Sequence, residues 1–131
     1  MSYSYEYAAD IYNALFGGNE MFEFYGNVRN FGLIDNLPEG SCVEVPMIAS
    51  KAGMRPLRVG PLPGQIALLL NNNARCEDLA VEGLIDGDRR KIYHAVLFDP
   101  LTSAVLSPGE AKSMVDEMLE ANREYLPESL Y

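Results

Sequence analysis

A chain of 131 residues, 48% hydrophobic and 22% charged, has the length and composition of a soluble globular domain with a sizeable core. Its net charge of −9, from 10 basic against 19 acidic residues, argues against nucleic acid or an anionic membrane as partner, because both are held by clustered Lys and Arg. Two cysteines are too few for a disulfide framework, no basic-then-apolar leader opens the chain and no apolar run can span a bilayer. A single cytoplasmic domain over residues 1–131 is therefore expected.

The first stretch is rich in tyrosine. Tyr7, Ile11 and Leu15 recur at four-residue spacing with Ala8 and Tyr12 alongside, which predicts a helix over residues 5–16. Gly17 or Gly18 would supply the left-handed residue that ends it. Tyrosine is amphipathic and common where surfaces meet, so this end reads as a half-buried helix or as part of an interface. Residues 21–25 alternate and predict a short strand. Residues 26–40, with their asparagines and glycines, read as a long loop, and Phe31, Leu33, Ile34 and Leu37 argue that it is ordered.

Residues 36–63 carry the densest punctuation, with Pro46, Pro56, Pro61 and Pro63 inside the stretch. Residues 41–48 alternate, with Val43 and Val45 on one face and Cys42 and Glu44 on the other. Pro46 cannot donate to a ladder, so this strand is expected to lie at an edge or to end there. Ala52 and Gly53 give a turn, after which residues 57–59 are expected to return antiparallel. Glu44 inside the apolar run reads as the solvent face of the ribbon or as half of an ion pair with Arg58.

A long amphipathic period runs from Pro63 to Ile85, with Asn71-Asn72-Asn73 a candidate weak point. Asp88 is placed to cap a helix over residues 89–98, which Asp99-Pro100 interrupts. Ser107-Pro108-Gly109-Glu110 combines capping-box spacing with proline at the first helical position, and opens a helix that stops before Pro127. The predicted class is α+β, a short antiparallel ribbon or sheet packed with several helices.

The residues alone write no catalytic centre. No glycine-rich phosphate loop is present. His94 is the only histidine and sits inside a predicted helix, while Cys42 and Cys76 are far apart in sequence and lack neighbouring ligands. They read as structural residues. Asn27, Asn30 and Asn36 are candidates for hydroxyl contacts on the substrate side, since amides pair well with sugars, although amides in such loops also cap turns.

An ordered set of motifs resembles glycoside hydrolase family 4. It comprises Asn30-x-Gly32-Leu33-Ile34-x-Asn36-Leu37-Pro38, Cys42-Val43-Glu44-Val45-Pro46, Gly53 and Val59-Gly60-x-Leu62-Pro63. It continues with Glu77-Asp78-Leu79-Ala80-Val81-Glu82-Gly83, Gly87-Asp88-Arg89 and Asp99-Pro100-Leu101-Thr102-x-Ala104-Val105-Leu106-Ser107. Tyr93-His94-Ala95-Val96 points to the α-glucosidase, α-galactosidase and α-galacturonidase branch. The resemblance implies a fold like the C-terminal domain of lactate/malate dehydrogenase-like glycosidases. It also implies NAD and a manganese-like metal in the full-length enzyme, which oxidises the sugar at its 3-hydroxyl, eliminates the aglycone, adds water and reduces the ketone again. The family's glycine-rich loop, its metal-binding Cys-Asn-x-Pro and Gly-x-Asn-His segments and its general base have no counterpart here. Where relatives carry Asn-Arg, this chain has Leu70-Asn71. No catalytic, cofactor-binding or metal-binding residue is thus expected in the chain, which would be inactive alone. The resemblance implies a substrate-side and oligomerisation domain whose partner is a second copy or a missing nucleotide-binding domain. The alternative is a stand-alone oligomerising or interaction module that has lost glycosidase chemistry.

Overall fold

The computed structural model describes residues 6–18 and 20–131. Tyr3 and Tyr5 of the tyrosine-rich start lie outside the described residues. The chain divides into two compact units, Met1–Pro63 and Gly64–Tyr131.

The first unit holds one helix, α1 (Ala8–Phe16), and three strands, β1 (Phe22–Arg29), β2 (Cys42–Ser50) and β3 (Gly53–Pro56). The strands form one antiparallel sheet in the order β1-β2-β3, as the α+β expectation required. α1 starts later than its periodicity predicts, and Gly17 ends it at φ −98°, outside the left-handed region.

β1 is longer than expected, because residues 26–29 continue the strand instead of opening a loop. Gly26 looks like a turn residue but leaves room inside the strand for the Met47 and Phe24 side chains. A Cβ there would stand 2.5 Å from the Met47 sulfur and 3.2 Å from the Phe24 ring.

β2 is the central strand, not an edge, and it carries Pro46 in its interior. The register pairs Tyr25 with Pro46, and the Leu57 N–H donates to the Pro46 carbonyl at 2.8 Å. A strand residue turns its N and its C=O to the same side, so the missing N–H of Pro46 faces the β3 side. The β1–β2 ladder therefore loses nothing. The returning strand is β3, which begins at Gly53 with φ +101°, a conformation glycine adopts freely. Residues 57–59 lie beyond it. Their course is set by the connection 30–41, since the Val59 and Gly60 N–H groups both donate to the Leu33 carbonyl.

Alternation along the strands sends Phe24, Val43, Val45, Met47 and Ala49 into one core with Ala14 of α1 and Ile34 of the connection. Val45 and Ala49 are fully buried. Burying a side chain of the Val, Met or Phe class stabilises by roughly 1.5–3 kcal/mol before entropy is counted, so this layer is the main apolar stabiliser of its unit.

The second unit is helical, with α2 (Gly64–Asp86), α3 (Arg89–Phe98), α4 (Pro100–Val105) and α5 (Pro108–Ala121), followed by two short 3₁₀ turns. The asparagine run does not break α2. Asn71 Nδ2 donates to the Ala67 carbonyl at 2.7 Å and Asn72 Nδ2 to the Phe98 carbonyl at 3.2 Å, so these amides reinforce the helix and tie it to α3. Asp88 caps α3 by accepting from the Arg90 N–H, Asp99 caps α4, and Ser107 with Glu110 forms the full capping box of α5. Gly83 lets α3 approach α2 closely, for a Cβ there would stand 2.8 Å from Ile92. The buried residues here are Ala67, Cys76, Gly83, Ala95, Ala111, Val115, Leu119 and Leu130, mostly small.

Candidate functional site

The three asparagines singled out in the sequence lie in the first unit and have different surroundings. Asn30 is 1% exposed. Its Oδ1 accepts from the N–H groups of Leu33 and Ile34 at 3.1 and 2.9 Å. Its Nδ2 donates to the carbonyls of Ile34, Leu37 and Pro38 at 2.9, 3.1 and 3.1 Å. That is the whole hydrogen-bonding capacity of an amide, so Asn30 shapes the connection 30–41 and has nothing left for a ligand hydroxyl. Asn36 clasps Leu62, donating to its carbonyl at 2.8 Å and accepting from its N–H at 2.9 Å. Asn27 is exposed in the middle of β1, opposite Glu44. The three do not converge on one cleft.

Glu44 is exposed on the outer face of the sheet. The cation suggested for it is engaged elsewhere, as Arg58 pairs with Asp35 at 2.6 Å.

The densest polar cluster is in the second unit, and sequence reasoning missed it. Asp116 of α5 accepts from Arg89 and from the Tyr93 hydroxyl, both on α3, and from Lys112 Nζ at 2.8 Å. The Arg89 and Lys112 charges also lie over the Tyr93 ring, at 5.5 and 5.4 Å from its centre. The Lys112 hydrogen bond, then those of Tyr93 and Arg89, hold the Asp116 carboxyl down at about 2. Burial, and then the hydrogen bond to Asp116, push the Tyr93 hydroxyl up. The signal was legible as two four-residue spacings, Arg89 to Tyr93 and Lys112 to Asp116, which place each pair on one helix face. A carboxylate neutralised on three sides is a poor base, so the cluster is a clamp between α3 and α5.

The groups that could resemble a metal or thiol site are dispersed. Cys42 is exposed at the start of β2, Cys76 is buried in α2, and both are free. Burial, aided by the Asp99 and Glu77 charges, pushes the Cys76 thiol up and away from nucleophilic thiolate character. His94 packs its ring against Phe98 with centres 6.1 Å apart. Among the described residues no group of three or more His, Cys, Asp or Glu is placed to hold a metal ion. The described residues thus do not fit a manganese site, and a glycine-rich nucleotide loop is not in the sequence. Among the described residues no helix is long and apolar enough to cross a membrane.

The polar groups that cluster in each unit serve its own fold. Proteins of known class share this fold. Residues 1–102 match the family 4 glycosyl hydrolase C-terminal domain. The chain is 38% identical over 125 residues to an α-galactosidase of Bacillus subtilis (strain 168), covering 95% of this chain and 29% of that enzyme. It is 37% identical over 102 residues to a probable 6-phospho-β-glucosidase of the same organism, covering 78% of this chain and 22% of that one. Among solved structures it resembles a 6-phospho-α-glucosidase from gut microorganisms in complex with NAD and glucose-6-phosphate, with TM-score 0.79, 31% identity and coverage of 91% of this chain and 26% of that one. It also resembles the 6-phospho-β-glucosidase of Thermotoga maritima with manganese, NAD+ and glucose-6-phosphate, with TM-score 0.76, 28% identity and coverage of 91% and 28%. The chain belongs to glycosyl hydrolase family 4 and corresponds to its C-terminal domain, and it spans less than a third of the length of these relatives.

Proposed function

We propose that this chain is the substrate-side and assembly domain of an NAD- and manganese-dependent α-glycosidase of carbohydrate metabolism, and that it has no glycosidase activity alone. The observation that carries this reading is the match of residues 1–102 to a C-terminal family domain, in a chain whose described residues hold no candidate metal cluster. The sugar class favoured is the α-galactoside. The α-galactosidases of Bacillus subtilis and Rhizobium meliloti align over 95% of the chain at 38% and 34% identity, against 92% at 31% for a phospho-α-glucosidase of Clostridium acetobutylicum and 76% at 34% for the maltose-6′-phosphate glucosidase of Fusobacterium mortiferum. A cytoplasmic setting suits the two free thiols. The test is to incubate the chain with NAD, Mn²⁺ and an aryl α-galactoside, alone and with a separately supplied family nucleotide-binding domain. No turnover alone and recovery on mixing are expected. Turnover at enzymic rates by the chain alone overturns the reading.

A second reading, a free-standing oligomerising or interaction module, is favoured by one observation. On α2 the side chains of Leu68, Leu69 and Ile85 are 73%, 60% and 78% exposed, more apolar surface than a solvated helix carries. Sedimentation velocity tests this reading, since a strict monomer at roughly 50 μM counts against any module whose work is self-association.

A further inference from the structure

We propose that the free edge of β1 pairs antiparallel with β1 of a second copy of this chain, centred on Gly26, so that two sheets become one continuous sheet. This deepens the assembly reading above by naming one surface and one register for it.

Among the described residues β1 is the outermost strand of its sheet. Because Pro46 turns its polar groups toward β3, its partner Tyr25 turns its own away from β2. Antiparallel ladders alternate bonded and non-bonded pairs, so Glu23, Tyr25, Asn27 and Arg29 all point their N–H and C=O groups outward. Among the described residues the one hydrogen bond recorded to this row comes from the Tyr7 hydroxyl, which donates to the Tyr25 carbonyl at 3.3 Å. A carbonyl has a second lone pair, so that contact leaves the row able to pair. β1 is 8 residues long and contains neither proline nor lysine, the usual devices that blunt an edge.

The side chains of the same four residues are exposed, and their charges select both partner and register. Outward-facing residues can bond only to outward-facing residues, which restricts the two-fold centre to an actual residue position. Centred on Gly26, Glu23 lies opposite Arg29 of the second copy, and by symmetry Arg29 opposite its Glu23. Tyr25 and Asn27 form the bonded pairs between them. Centring on Tyr25 puts Glu23 opposite Asn27, and centring on Asn27 puts it beyond Arg29, so both lose the charge match. Gly26 falls on the axis as a non-bonded pair, where the two backbones come closest. It has no side chain there, and its Cβ direction already points at Met47.

Sedimentation equilibrium on the whole chain tests this. The expected result is a dimer with Kd on the order of tens of micromolar, as suits a small interface. Glu23→Arg and Arg29→Glu each bring like charges together twice and weaken it by about tenfold. The combined swap, Glu23→Arg with Arg29→Glu, restores association to within about threefold of the parent. Asn27→Pro removes an outward donor without touching the β1–β2 ladder, and should abolish association while far-UV circular dichroism is unchanged. A chain that stays monomeric at roughly 300 μM overturns the proposal. A dimer indifferent to all these variants also overturns it, while leaving assembly through another surface standing. Weakening by the single variants without recovery in the swap overturns the register.

Discussion

The sheet unit and the helical unit spend their apolar residues differently. In the first, Phe24, Ile34, Val43, Val45 and Met47 converge on one buried cluster. In the second, small residues (Ala67, Cys76, Ala95 and Ala111) make up more than half of the buried hydrophobics beside Val115, Leu119 and Leu130, while Leu68, Ile85, Leu101 and Val105 are each more than two-thirds exposed. A unit that buries its large side chains carries its own stability. One whose buried side chains are mostly small leans more on caps and charge clamps to hold its shape.

Substitutions can break this contrast, beginning with the largest effect. Asn30→Ala leaves the N–H groups of Leu33 and Ile34 without their acceptor and takes a donor from the carbonyls of Ile34, Leu37 and Pro38, so it should cost about 3 kcal/mol in urea unfolding. Hydrogen exchange should rise first in β1 and β2, and a loss spread evenly over both units would contradict the self-contained sheet. Val115→Ala, at a site 2% exposed, should cost about 2 kcal/mol, read as faster exchange in α3 and α5. Ser107→Ala removes half of the α5 capping box and should cost about 1 kcal/mol.

The Asp116 clamp predicts a smaller, pH-dependent effect, because solvent and salt screen its partners. Its carboxyl titrates at about 2 in the folded chain, below the ordinary 3.8. Its contribution is therefore present in full above pH 4 and lost as pH falls toward 2. Melting curves from pH 5 to pH 2 should fall more steeply for the parent chain than for Asp116→Asn. Parallel curves would remove the clamp from the account. Smallest of all, Leu68→Ser should change stability by no more than about 0.5 kcal/mol. A larger loss in the isolated chain would show that the face is already covered.

Much of the helical unit was legible. Asp88, Asp99-Pro100 and the Ser107 box act through neighbours two or three positions away, so local chemistry set those boundaries. The sheet unit was harder to read. Gly26 and Asn27 carry loop composition but sit in β1, because the constraint on Gly26 is the Met47 sulfur from another strand. Pro46 argues for an edge until one knows which way its missing N–H points. Asn30 looked like a ligand contact because polarity is visible in a sequence and burial is not. The Asp116 cluster went unseen because its halves lie on different helices, 23 to 27 positions apart.

The amide of Asn30 has one more consequence. The residues that follow it fold around a template supplied by a single side chain, with their turns closed onto it and onto Ser41. Such a segment behaves like a moulded part, held from within by the asparagine and along one side by residues 58–62 through Leu33, Asp35 and Asn36. Grafted into an unrelated sheet together with residues 57–62, residues 30–41 should keep their contour with the asparagine and collapse into many conformers without it.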